Sequence, residues 1–428
     1  MDLFTIASIL IVLSALFGYI NVRFLKLPNT IGLMIIAIIF TLGLFLSSMI
    51  NPALLDMAEN LIAEIDFKIV LLDIMLGFLL FAGALHTNFD QLRVQRWPVL
   101  VFATVGVLTS TFLVGMFSFY IFNLLGLEVA FIHCLLFGAL ISPTDPIAVL
   151  GIMKKAGFPK ILETKIVGES LFNDGVGVVV FLTIMSIAGG GGHGDHGDSS
   201  FAGIATLFGQ EVIGGIIFGA IIGYATYRLL KTIDDYEIEV MITLACVMGG
   251  CVLAQYWHLS APLAMVVAGL IVGNDTVRDS AMSDTTEKFV DHFWELVDIL
   301  LNALLFVLIG LELLIIQFDM TYLLAGLAAI VFVLLARYIS LFTPVKLFSK
   351  KLGFLPNTTT LMTWGGLRGG ISIALALTLT AEMNRELFIT VTYVVVVFSI
   401  IVQGLSIGGL AKKLLGAENM VISNDDHH

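Results

Sequence analysis

Residues Ile141-Ser142-Pro143-Thr144-Asp145-Pro146 place a carboxylate between two prolines inside a long apolar run, 129–152. Each proline removes a backbone donor and clashes with the preceding turn, so a continuous helix is not expected through Ser142–Pro146. The carbonyls freed by such a break are tolerated at membrane depth only where they line a cavity. Thr144 and Asp145 sit in the break. Carbonyl and carboxylate oxygens placed there can replace the waters of a small cation. A kink that served packing alone would need no carboxylate beside it.

The rest of the chain gives this run its setting. Of 428 residues, 58% are hydrophobic and 13% charged, against roughly 45–50% and 25% in soluble domains. A soluble fold could not hide that much apolar surface, so lipid is the solvent for most of the chain. This excludes a soluble enzyme, a nucleic-acid-binding module and a disordered scaffold. The net charge of −12 also argues against nucleic acid as a partner. Cys134, Cys246 and Cys251 lie in apolar runs without metal-ligand spacing and read as core residues.

Apolar segments of spanning length recur at 3–22, 29–47, 68–86, 98–123, 129–152, 163–187, 207–230, 238–256, 260–273, 293–317, 321–343, 358–381 and 387–410. The reading is an all-α polytopic membrane protein of 13 spans. With the N-terminus outside, inner loops hold 17 of the 21 lysines and arginines, and outer loops hold only Lys68 and Arg385. That asymmetry sets the C-terminus in the cytoplasm. Residues 189–198 form a Gly, His and Asp-rich stretch, read as a flexible outer loop, with metal binding as its functional alternative. His427 and His428 read as a tag remnant.

An ionisable side chain inside a span is a functional hypothesis. Asp145, Glu169, Asp174, Arg337 and Arg368 qualify most clearly, with Asp73, Asp298 and Glu312 as weaker cases. Span six reads Gly168-Glu169-Ser170-Leu171-Phe172-Asn173-Asp174-Gly175-Val176-Gly177. Helical spacing sets Ser170 and Asp174 on one face and Glu169 beside Asn173. A carboxylate here could hold a proton and release it to a cation. Span twelve carries Gly365-Gly366-Leu367-Arg368-Gly369-Gly370, where four glycines around an arginine predict a second break. Spans five and twelve are each the fifth of six in oppositely inserted halves, with span seven as linker. That pattern points to two inverted six-helix repeats. Glu169 is too deep to stand alone. Arg337, in mid-helix, is its expected partner, while Arg368 is expected to bond carbonyls of the two breaks.

Thr144-Asp145-Pro146, the Gly168–Gly175 stretch and Gly365–Gly370 together resemble the monovalent cation:proton antiporters of the NhaP and animal sodium/proton exchanger branch. Leu79–Leu85, Val267–Asn274 and Leu308–Leu311 add to the resemblance, which covers nearly the whole chain in order. It implies a homodimer in the bacterial inner membrane, with a dimerisation part at 1–97 and 238–317. It implies a mobile core at 98–187 and 321–411, a loop and linker helix at 188–237, and a short tail at 412–428. It further implies exchange of Na⁺ or Li⁺, sometimes K⁺, for H⁺. Mapped by motif, Asp174 carries the cation or proton, Ser170 and Thr144 supply oxygens, Asp145 stands behind them and Asn173 supports the site. Asn173 before Asp174 resembles the electroneutral branch. Archaeal members carry a glutamate near the position of Ala82, so the resemblance does not extend to a third acidic ligand.

The chemistry of the residues agrees. One carboxylate that binds a cation or a proton, but not both, gives obligatory exchange by competition. No ATP is implied, because no phosphate-cradling glycine loop occurs, and no cofactor is implied. Neither a Gly-x-Ser-x-Gly elbow with a histidine base nor a His-Glu-x-x-His helix occurs, which argues against a hydrolase. A K⁺/H⁺ antiporter of the same fold and a cation channel are the competing readings.

Overall fold

The computed structural model describes residues 3–49, 55, 68–87, 96–145, 153, 160–189, 201–274, 278, 281–314, 319–352 and 357–415. Every regular element among them is helical. In chain order they are α1 (Leu3–Ile20), α2 (Asn29–Ser48), α3 (Leu76–Leu85), α4 (Arg96–Leu124), α5 (Phe131–Ile141), α6 (Lys160–Ala188) and α7 (Phe201–Leu230). There follow α8 (Tyr236–Tyr256), α9 (Ala261–Val272), α10 (Asp284–Glu312), α11 (Met320–Leu352), α12 (Thr358–Trp364), α13 (Gly370–Leu377) and α14 (Arg385–Leu415). Nine are long and apolar enough to cross a membrane, and α3, α5 and α9 are shorter apolar helices. The remaining expected span, 358–381, is the pair α12 and α13 with residues 365–369 between them.

Several ends have local causes. Asp235 starts α8 by accepting from the backbone N–H groups of Glu237 and Ile238. Ser283 and Thr286 form a capping box, so α10 begins at Asp284 rather than at the 293 that hydropathy suggested. Helix α5 stops at Ile141, one residue before the Ser142-Pro143 step. Of the two prolines in that run, Pro146 lies outside the described residues, as do residues 190–198, 154–159 and those from 416 on.

The interior divides into two apolar clusters. The smaller gathers α3, α7, α8, α9 and the first half of α10 around Trp294. The Trp294 ring lies 4.7 Å from that of Phe81, and its Nε1 donates to Thr243 Oγ1 at 3.0 Å. The larger runs through the remaining helices and takes in residues of α3 and α9 as well, with Phe137 stacked on Phe388 at 5.5 Å. Helix α10 belongs to both. It is tied to α2 where Thr41 Oγ1 donates to the Gly310 carbonyl at 2.9 Å. Asn302 and Leu305, in its middle, share a cavity with Pro143, Asp145 and the 369–372 segment.

Candidate functional site

The two interrupted helices meet in the interior. Arg368 Nη1 donates to the carbonyls of Ser142, at 2.6 Å, and Pro143, at 2.9 Å. These are acceptors released by the end of α5. In return the backbone N–H of Asp145 donates to the Leu367 carbonyl at 2.8 Å. Each break thus supplies what the other lacks, and no water is needed to satisfy those groups. Gly369 permits the approach: a Cβ there would stand 2.6 Å from Asp145 Oδ2. A π-helical stretch in α14, Ser399–Gln403, holds the second break from outside. Ser399 Oγ accepts from the Arg368 N–H at 2.9 Å, and Gln403 Nε2 donates to the Trp364 carbonyl at 3.0 Å.

Helix α6 lies against the first break. Gly177 is where Pro143 packs, since a Cβ there would collide with the proline ring. Asn173 clamps Thr144 twice: its Oδ1 accepts from the Thr144 N–H at 3.1 Å, and its Nδ2 donates to Thr144 Oγ1 at 2.9 Å. The hydroxyls of Thr144 and Ser170 are 2.8 Å apart. Asn173 therefore replaces helix partners that the break removes. One turn earlier, Glu169 has no exposed surface. Arg337 Nη1 and Nη2 meet its two oxygens at 2.5 and 2.7 Å, and Asn173 Nδ2 lies 3.3 Å from Oε1. Of Arg337 and Arg368, Arg337 is the one that faces Glu169, and Arg368 faces the carbonyls.

Asp174 is arranged differently. It is 2% exposed and makes no hydrogen bond or ion pair to any other described residue. Its side chain lines a cavity shared with Asp145, Pro143, Asn302, Leu305, the Gly369–Ser372 segment and leucines of α3. Two carboxylates in one cavity suit a hard cation with oxygen ligands. Thr144, Ser170 and Asn173 do not line this cavity; they form the hydrogen-bonded knot beside it. Among the described residues no group of three or more His, Cys, Asp or Glu is placed to hold a metal ion.

Asn302, Ser372, Ser399 and Gln403 went unread as site residues in the sequence. They are small or neutral polar groups in apolar runs, common in packed helices, and only Asp298 nearby offered a signal. Asp298 accepts from Asn302. Glu312, at the far end of α10, is buried, and its Oε2 has no hydrogen-bond partner among the described residues. The side chain of Asp73 lies outside the description.

A helix that ends before Pro143 and a helix pair broken at 365–369, meeting beside the buried Asp174 in a bundle of lipid-length helices, fit a membrane carrier of the secondary-transport class. Residues 11–413 match the family described as "Sodium/hydrogen exchanger, transmembrane", and the chain belongs to that family. It is 48% identical over 422 residues to the Na(+)/H(+) antiporter NhaP of Pseudomonas aeruginosa, covering 97% of this chain and 98% of that protein. It is 35% identical to the Na(+)/H(+) antiporter NhaH of Halobacillus dabanensis, over 92% of this chain and 93% of the relative. The structure of the sodium proton antiporter MjNhaP1 from Methanocaldococcus jannaschii shares the fold, with a TM-score of 0.74 at 22% identity. That match covers 97% of this chain and all of the other.

Proposed function

We propose that this protein exchanges Na⁺ or Li⁺ for H⁺, one for one and without net charge movement, by competition of the two ions for Asp174. The observation that carries the reading is the contrast between two carboxylates five residues apart on α6. Glu169 is neutralised by Arg337, whereas Asp174 has no partner among the described residues and faces a cavity. Loaded with either ion, Asp174 is neutral and can cross the low-dielectric interior; empty, it is a bare anion and is held back. The Na(+)/H(+) antiporter names of the relatives support the choice of ions.

The reading includes alternating access. A core of 98–187 and 321–411 moves against a scaffold of 1–97 and 238–317, within thirteen spans built as two inverted repeats. The working unit is a homodimer in the bacterial inner membrane, N-terminus outside and C-terminus cytoplasmic. The test is a pH-sensitive dye inside proteoliposomes, with Li⁺, Na⁺ and K⁺ added in turn. Na⁺ and Li⁺ should drive proton movement, and Asp174→Asn should abolish it while leaving a folded dimer. Proton movement with K⁺ alone would reassign the ion. Current under voltage without an opposing gradient would make the protein a channel.

A further inference from the structure

Asn302 lies on α10, outside the two crossed helices, yet it lines the same cavity as Asp145 and Asp174. Its amide nitrogen is already engaged. Nδ2 donates to the Asp298 carbonyl at 2.8 Å and to Asp298 Oδ1 at 3.0 Å. Turning the amide over would set Oδ1 against those two oxygens, so the orientation is fixed by chemistry rather than by fit alone. With the nitrogen committed to α10, Oδ1 is the group left over. It accepts no hydrogen bond from any described residue, and Asn302 is only 5% exposed. With its nitrogen tied down, the amide can offer only this oxygen to whatever occupies the cavity.

We propose that Asn302 Oδ1 is a ligand of the transported cation, supplied by α10, and that Asp298 is the positioning residue that aims it. This rests on the exchange reading above. A small cation leaves water only where protein oxygens replace its shell. Thr144 is bonded to Ser170 and Asn173, and neither hydroxyl lines the cavity, so an oxygen from another helix can add to its lining. An amide oxygen adds coordination without adding charge. The site with one cation bound then stays as neutral as the site with one proton bound. A ligand on α10 also acts on the cation alone, because a proton on Asp174 needs no coordination shell.

The test compares Asn302→Ala, Asn302→Ser and Asn302→Asp in proteoliposomes, titrating Na⁺ and Li⁺ at fixed pH. Alanine and serine withdraw the oxygen and should raise the apparent KM for Na⁺ about tenfold, roughly one ligand's worth, with a smaller fall in maximal rate. Aspartate would set its second oxygen against the two Asp298 oxygens that Nδ2 now satisfies and would add a charge, so it should raise KM as alanine and serine do. Asp298→Ala leaves the backbone acceptor and should give an intermediate rise. If the alanine variant does not fold, serine, the gentler change, carries the comparison. An unchanged KM in alanine and serine variants, beside an active wild type, overturns the inference. So does an equal loss of maximal rate in all three variants with KM untouched, which would mark Asn302 as a packing residue. A wild type that moves no protons with any cation would instead fail the exchange reading itself.

Discussion

Glu169 and Arg337 meet through two hydrogen bonds at 2.5 and 2.7 Å, and neither is more than 3% exposed. Removing one partner of such a pair strands the other charge in a dry interior, at about 3–5 kcal/mol. Glu169→Gln and Arg337→Ala should each lower the thermal midpoint of the detergent-solubilised protein strongly. The double variant should lose clearly less than the sum. Additive losses would show that the pair is not a unit. This pair and Asp174 were legible in the sequence because a charge in a lipid-length apolar run is expensive and so stands out. Asn302 and Ser372 were not, since a neutral polar side chain is cheap to bury once its helix supplies a partner. Only the packing of α10 and α13 around Asp174 reveals what these residues face. The side of the knot was also hidden: helical spacing set Ser170 beneath Asp174, but it could not show that the Ser170 hydroxyl turns to Thr144.

The two breaks were legible as elements for a similar reason. Proline removes a donor and a glycine run weakens a helix, and both are visible without coordinates. How the breaks satisfy one another was less so. Arg368 was expected to bond carbonyls of both breaks, and the side-chain acceptors it takes, Ser142 and Pro143, belong to the first. The π-helical stretch that buttresses the second break left no mark in the sequence, because Ser399 and Gln403 sit in an otherwise uniform apolar span. Helix α10 begins early because its capping box nucleates polar turns that a hydropathy window discards. The crossing is close enough to test by one methyl group. In Gly369→Ala the new Cβ would lie 2.6 Å from Asp145 Oδ2 and 2.8 Å from its Cβ, so Asp145 must move. Exchange should fall about tenfold or more while the protein stays folded, since a displacement of about an ångström at a positioned group is enough for such a loss. A wild-type rate in the dye assay would show that the position of Asp145 does not matter.

At the scale of the whole molecule, composition alone put the chain in lipid, and the basic residues set its proposed direction. The number of spans was harder to read, because α3, α5, α9, α12 and α13 are each shorter than a membrane-crossing helix. The proposed one-for-one exchange at Asp174, with Asn173 beside it and Glu169 bound to Arg337, would carry no net charge. Rates measured at clamped membrane potentials should therefore be equal. A rate that changes steeply with voltage would require a second titrating group. The claim beneath all of this is that cation and proton compete for Asp174. Calorimetric titration of the purified protein with Na⁺, in buffers of differing ionisation enthalpy, counts the protons released per cation bound. At a pH where the empty site is protonated the account predicts one proton per Na⁺ in the wild type and no Na⁺ binding in Asp174→Asn. Na⁺ binding that releases no proton at any pH, or that survives unaltered in Asp174→Asn, would contradict it.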